Sequence, residues 1–61
     1  MKVTIYWVTN NEEKREEIRQ YFHIPHYTSL NGESEFDITE DKLKELRRGE
    51  PEYIQIRHVK G

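Results

Sequence analysis

Residues 27–39, YTSLNGESEFDIT, place Asn31 and Gly32 between two short runs of strand-forming residues. Asn-Gly in this setting is a strong hairpin signal, because both central residues of a type I′ turn need positive φ. Such a turn would set Tyr27 opposite Phe36 as an aromatic cross-strand pair. The other face of the hairpin would carry three carboxylates, those of Glu33, Glu35 and Asp37. The stretch therefore predicts two strands, and whether it forms two or one decides the fold.

The residues before this stretch predict a strand and a helix. Residues 2–8, KVTIYWV, are β-branched or aromatic on both faces, which favours a central strand. In the charged segment that follows, Thr9 or Asn10 can cap the N-terminus of a helix. The helix must end by Ile24, because a residue before proline is pushed towards extended geometry. Its apolar stripe is short and consists of Ile18, Tyr21 and Phe22.

The residues after the stretch predict a second helix and a last strand. Thr39 starts the helix, and Ile38 and Leu43 occupy the two positions of a hydrophobic staple. Gly49 is a typical helix C-terminal stop. Residues 52–59, EYIQIRHV, then alternate as a strand does.

This order of elements predicts one α+β domain over residues 1–61. We expect the ferredoxin-like β-α-β-β-α-β sandwich, in which a four-stranded antiparallel sheet carries both helices on one face. The alternative joins residues 27–38 into one bent strand and gives a three-stranded βαβαβ order. In either arrangement two helices cover one face of the sheet and leave the other face open.

Size and composition limit the function. A chain of 61 residues buries only about 60% of its unfolded surface, so its core is thin. It has no cysteine, and its first apolar run is too short for a signal peptide or a membrane span, so we expect a cytoplasmic protein. Ten basic residues against twelve acidic ones give a net charge of −2, which does not favour binding to a polyanion.

The open face is the most informative predicted surface. Tyrosine and arginine are enriched at protein interfaces, and a thin core benefits from further burial. We therefore expect a non-enzymatic protein-protein interaction module that binds itself, as a homodimer, or a partner protein through this face. The predicted interface residues are Tyr6, Val8, Tyr53, Arg57 and Val59.

Two other functions compete with this interpretation. Aromatic residues on an open sheet bind single-stranded nucleic acid in RNA-recognition domains, but the three carboxylates of residues 33–37 would repel phosphates. His23, His26 and His58 are the only soft metal ligands and could hold a structural metal. The chain has no glycine-rich phosphate loop and no catalytic Ser-His-acid spacing, so we expect no enzyme activity and no cofactor.

Two resemblances to known families are present. The opening KVTIYW followed by a helix is similar to the first strand and helix of glutaredoxins, but TNNEE stands where that family has its redox cysteines, so that activity is not implied. The charged helix with SLNGESEFDI, DKLKEL and YIQIR resembles small uncharacterised proteins encoded by phages and prophages of Gram-positive bacteria. This second resemblance covers nearly the whole chain. It implies a genetic context in which small folded proteins often bind host or phage proteins.

Overall fold

The computed structural model describes all residues 1–61 and has three strands and two helices in the order βαβαβ. β1 is the central strand of one antiparallel sheet with the order β2-β1-β3. The α+β class and the antiparallel sheet are confirmed. The elements are β1 (Lys2–Trp7), α1 (Glu12–Phe22), β2 (Glu33–Asp37), α2 (Glu40–Arg47) and β3 (Ile54–Lys60).

The predicted hairpin is wrong, and with it the four-stranded ferredoxin-like order. The Gly32 N–H donates to the Ser29 carbonyl at 2.9 Å, so Leu30 and Asn31 are the central residues of the turn. Within this loop only Gly32 has a positive φ, 77°, as expected for the residue that follows a type I turn in a three-residue loop. The structure therefore has the three-stranded βαβαβ order of the alternative. The single bent strand over residues 27–38 is wrong, because the strand begins only at Glu33.

Residues 27–29 run beside β2 without forming a strand. The Ser29 N–H donates to the Glu33 carbonyl, but the Tyr27 carbonyl accepts from the side-chain hydroxyl of Ser34 instead of from a backbone N–H. Phe36 pairs with Val3 of β1 and not with Tyr27. A side-chain hydrogen bond thus takes the place of a second ladder bond, and Tyr27 is left exposed.

The core lies between the sheet and the two helices. Alternation along β1 turns Val3, Ile5 and Trp7 inwards. Ile18 and Phe22 of α1 pack against this core without being fully buried. The buried apolar residues are Val3, Ile5, Trp7, Ile24, Phe36, Ile38, Leu43, Leu46 and Ile54.

The helix caps partly match the prediction. Asn11, and not Thr9 or Asn10, caps α1, since its side-chain oxygen accepts from the Lys14 N–H at 3.2 Å. Thr39 caps α2 as expected by accepting from the Lys42 N–H at 3.3 Å. α1 ends at His23, whose φ of 57° is left-handed and closes the helix.

α1 buries an arginine where the sequence predicted a tyrosine. Tyr21 is 53% exposed, whereas Arg19 is 8% exposed. The Arg19 guanidinium lies 5.0 Å from the ring centroid of Trp7, and that of Arg15 lies 5.9 Å away. Arg19 donates to the Thr28 hydroxyl at 3.2 Å, but its Nε has no partner. The two guanidinium groups therefore cover Trp7 and are attracted to its ring by cation–π interaction.

Candidate functional site

The sheet face opposite the helices consists of three cross-strand rows. Residues directly opposite each other in an antiparallel sheet project to the same face. Each row has its acid on β2, its centre on β1 and an amide or basic side chain on β3. The rows are Glu33–Tyr6–Gln55, Glu35–Thr4–His58 and Asp37–Lys2–Lys60. We call this surface, together with Arg57, the open face.

Half-buried Tyr6 and exposed Arg57 form a pair at one end of the open face. The pairing of β1 with β3 is irregular between Thr4 and Ile5, so Arg57 lies outside the three rows. Its guanidinium lies 4.7 Å from the ring centroid of Tyr6. A partly exposed cation–π contact of this kind contributes about 0.5–1 kcal/mol, which favours one relative orientation of the two side chains in the absence of a partner.

Gly32 lies close to the edge of the Tyr6 ring. A Cβ added to Gly32 would lie 3.1 Å from Cε1 of Tyr6, closer than such atoms normally approach. Gly32 therefore has two roles: it adopts the positive φ of the turn, and its lack of a side chain leaves room for the Tyr6 ring.

The β2 side of the open face is acidic, and one of its carboxylates contacts neighbouring side chains of β1. Glu35 accepts from the Thr4 hydroxyl at 3.4 Å and lies 3.7 Å from Lys2 Nζ. These side chains are exposed or half-buried, so each contact is weak and can exchange for a contact with a partner. A polar cleft of about 240 Å³ borders this side, lined by Thr4, Tyr27, Ser29, Glu33, Ser34 and Glu35.

The structure brings together only two of the five predicted interface residues. Tyr6 and Arg57 meet on the open face. Tyr53 lies on the helix side, where it packs against the core. Val59 pairs with the inward-facing Val3 and so also lies on the helix side. Val8 follows β1, exposed, and its N–H donates to the Tyr53 carbonyl.

Tyr53 precedes β3 and Val8 follows β1, so only the position of Val59 is explained by the irregularity in β3. It shifts the alternation of β3, so that His58 and Lys60 project from the open face and Val59 does not. His58 therefore does not share the inward face of Ile54 and Ile56, which simple alternation along β3 would give it. No residue in IQIRHVK signals such an irregularity, because a bulge of this kind has no fixed residue requirement.

The three histidines are separate. His23 closes α1, and His58 pairs with Thr4 in the sheet. His26 Nε2 lies 3.0 Å from a carboxylate oxygen of Glu16. The pKa of the Glu16 carboxyl is lowered by hydrogen bonds from Gln20 and then from His26. No group of three or more His, Asp or Glu side chains is arranged to hold a metal ion.

A second cleft, of about 270 Å³, lies on the helix side and is mainly apolar. At its edge the Tyr21 hydroxyl donates to Glu45 at 2.8 Å, and Lys42 Nζ lies 4.0 Å from the Tyr21 ring centroid. The hydrogen bond from Tyr21 is the main cause that lowers the pKa of Glu45. These contacts join α1 to α2. The cleft is lined by Ile18, Phe22, Glu45, Leu46, Arg48, Gly49, Tyr53 and Ile54.

Comparison of the chain with protein-family models, with curated proteins and with solved structures finds no match. The resemblance to small phage and prophage proteins therefore stays a prediction. Neither helix has the length and apolar character needed to cross a membrane.

Proposed function

We propose that this chain is a small non-enzymatic interaction module that binds a protein, either a different one or its own copy, through the open face. The observation that carries the proposal is the Tyr6–Arg57 pair, held 4.7 Å apart on a sheet face that neither helix covers. Tyrosine and arginine dominate the energetics of protein interfaces. A pair that is already oriented loses less conformational entropy on binding.

The thin core supports the same proposal. Only 11 of the 61 residues are buried, and nine of these are apolar. Further burial against a partner stabilises a domain of this size by mass action, since the partner binds only the folded state.

The charge pattern favours a protein over a nucleic acid. A polyanion would meet Glu33, Glu35 and Asp37 along the whole length of β2. Phosphates bind to surfaces with a basic excess, and the net charge of this chain is −2. A protein surface can instead offer both signs of charge and match both sides of the open face.

The test compares two immobilised variants as bait for binding proteins. The first variant, Tyr6→Ser with Arg57→Ser, removes the Tyr6–Arg57 pair. The control, Tyr21→Ser with Arg47→Ser, removes the same residue types from exposed positions on the helices. Circular dichroism first confirms that both variants are folded.

We expect each partner, identified with the wild-type bait, to bind the first variant at least about tenfold more weakly in calorimetry, and the control unchanged. Equal affinities for wild type and first variant, with the partner and in self-association, would contradict the proposal. So would an equal loss in the control.

A further inference from the structure

The charges of the open face are arranged antisymmetrically about β1. Every row carries a carboxylate on the β2 side. On the β3 side the same rows carry Gln55, His58 and Lys60, and Arg57 extends over Tyr6. The face carries three carboxylates and three cations, Lys2, Arg57 and Lys60. Its net charge is therefore zero when His58 is uncharged. It is thus uncharged as a whole but divided into an acidic and a basic side.

This division makes the face complementary to itself in only one of two simple twofold arrangements. A 180° rotation about an axis parallel to β1 turns the face over and exchanges its two sides while keeping each row at its level. The acidic side of one copy then lies over the basic side of the other. Rotation about an axis perpendicular to the strands would place β2 over β2, acid against acid, which Coulomb repulsion opposes.

We propose that the occupant of the open face is a second copy of this chain, related by a twofold axis along β1. The proposal rests on the function proposed above and names its partner. Asp37 then faces the partner's Lys60, and Glu35 faces the partner's His58. The two Tyr6 side chains meet on the axis, each with its own Arg57. Such an isologous interface uses the same patch on both copies.

The size of the face indicates how strong this dimer is. Three strands about 4.8 Å apart and six residues long cover about 300 Å² per copy. The total of about 600 Å² is below that of stable interfaces, so the dimer is weak and in exchange with the monomer. Because charge pairing contributes much of its affinity, it weakens as salt screens those charges.

The test is a charge-reversal pair measured by sedimentation equilibrium at about 20 mM salt and protein concentrations up to about 1 mM. The β2 variant carries Glu35→Lys with Asp37→Lys. The β3 variant carries His58→Glu with Lys60→Glu. A control, Glu13→Lys with Glu52→Lys, makes the same change in net charge as the β2 variant, but at exposed positions away from the open face.

We expect the wild type and the control to dimerise with Kd of about 0.1–1 mM. Each reversal variant alone should associate at least about tenfold more weakly, and an equimolar mixture should recover the wild-type affinity within about threefold. The mixture is the decisive sample, because misfolded variants could not regain a specific dimer.

A wild type that stays monomeric at about 1 mM overturns the second copy as occupant. So does a β2 variant that dimerises like the wild type, or a mixture that recovers nothing. The proposed function fails separately, when the Tyr6 and Arg57 variant binds every partner as the wild type does.

Discussion

The indole nitrogen of Trp7 donates a hydrogen bond to the Ser34 hydroxyl at 2.8 Å, within the core between β1 and β2. Ser34 is 1% exposed, and its hydroxyl donates in turn to the Tyr27 carbonyl at 3.0 Å. One buried serine thus gives the indole its acceptor and attaches residues 27–29 to the outer edge of β2. Ser34 carries the only fully buried hydroxyl of the sheet. Its bond to Tyr27 fixes the loop at the position where a fourth strand was predicted.

Replacement of Ser34 by alanine should leave a buried indole N–H without an acceptor. We expect Ser34→Ala to lower the free energy of unfolding by about 1–3 kcal/mol in urea denaturation. The same substitution in a Trp7→Phe background should cost less, because phenylalanine has no N–H. Equal costs in the two backgrounds would show that the Trp7–Ser34 bond does not contribute.

Gly32→Ala should destabilise the turn before β2. Its φ of 77° costs a residue with a Cβ about 1–2 kcal/mol, and the new Cβ would also press on the Tyr6 ring. Gly49→Ala is the matched control, because Gly49 does not have a positive φ and its Cβ would lie 3.4 Å from the nearest atom, the Leu46 carbonyl oxygen. Thermal melts should show a clearly lower melting temperature for Gly32→Ala. Similar losses in both variants would refute this account of the turn.

The Glu50 carboxylate accepts from the Ile56 N–H at 2.8 Å, on the edge of β3 away from β1. Edge strands with free N–H groups invite pairing with other chains, so this contact blocks part of that edge. Glu50→Ala should speed hydrogen exchange at the Ile56 amide and lower the free energy of unfolding by about 1–2 kcal/mol. Glu50→Gln keeps a carbonyl acceptor and should change both less. Unchanged exchange at Ile56 in Glu50→Ala would contradict the contact.

Arg19 is a buried cation with no carboxylate partner, so its charge should add little to stability. Arg19→Met keeps a long stem over Trp7 and removes the charge, and we expect its free energy of unfolding to stay within about 1 kcal/mol of the wild type. Arg19→Ala uncovers Trp7 and should cost at least about 2 kcal/mol more than Arg19→Met. Chemical denaturation measures both. A large loss in Arg19→Met would mean that the guanidinium itself is required.

The Tyr21–Glu45 hydrogen bond predicts a pH dependence in acid. The pKa of Glu45 is lowered in the folded state, mainly by this bond, so its contribution to stability is present above the unfolded pKa and is lost as pH falls through the folded pKa. Tyr21→Phe should move the pKa of Glu45 back towards its ordinary value in a carboxyl NMR titration. Tyr27→Phe, which removes a hydroxyl from the exposed loop, should leave it unchanged. An unchanged pKa of Glu45 in Tyr21→Phe would contradict this assignment.

Local signals were enough to predict both helices and all three strands, but they also predicted a strand before the turn that does not form. The capping of α2 by Thr39 involves residues a few positions apart, and the alternation of β1 requires only a buried face. The Asn31–Gly32 signal was also local, but strand pairing is not. Ser34 directs its side chain to the Tyr27 carbonyl, and a hairpin pattern cannot show that.

The β1 part of the candidate site could be predicted from local alternation, whereas its β3 part depends on long-range pairing. Tyr6 lies on the open face because β1 alternates regularly up to Trp7. The β3 side of the face depends on an irregularity opposite Thr4 and Ile5, which exists only in the pairing of two distant segments. Burial of Arg19 likewise depends on Trp7, a residue of another element, and polarity along α1 cannot reveal it.

The central position of β1 also determines when the sheet can form during synthesis. The second residue of the chain pairs with the sixtieth, and Trp7 pairs with Ile54, so the pairing of β1 with β3 closes almost the longest loop that residues 1–61 allow. Closing such a loop carries a large entropic cost and slows folding. While the ribosome still holds residues 54–60, β1 has only β2 beside it, and one side of its backbone is unpaired. A nascent chain stalled at that point is the form in which KVTIYW is open to aggregation or to a chaperone.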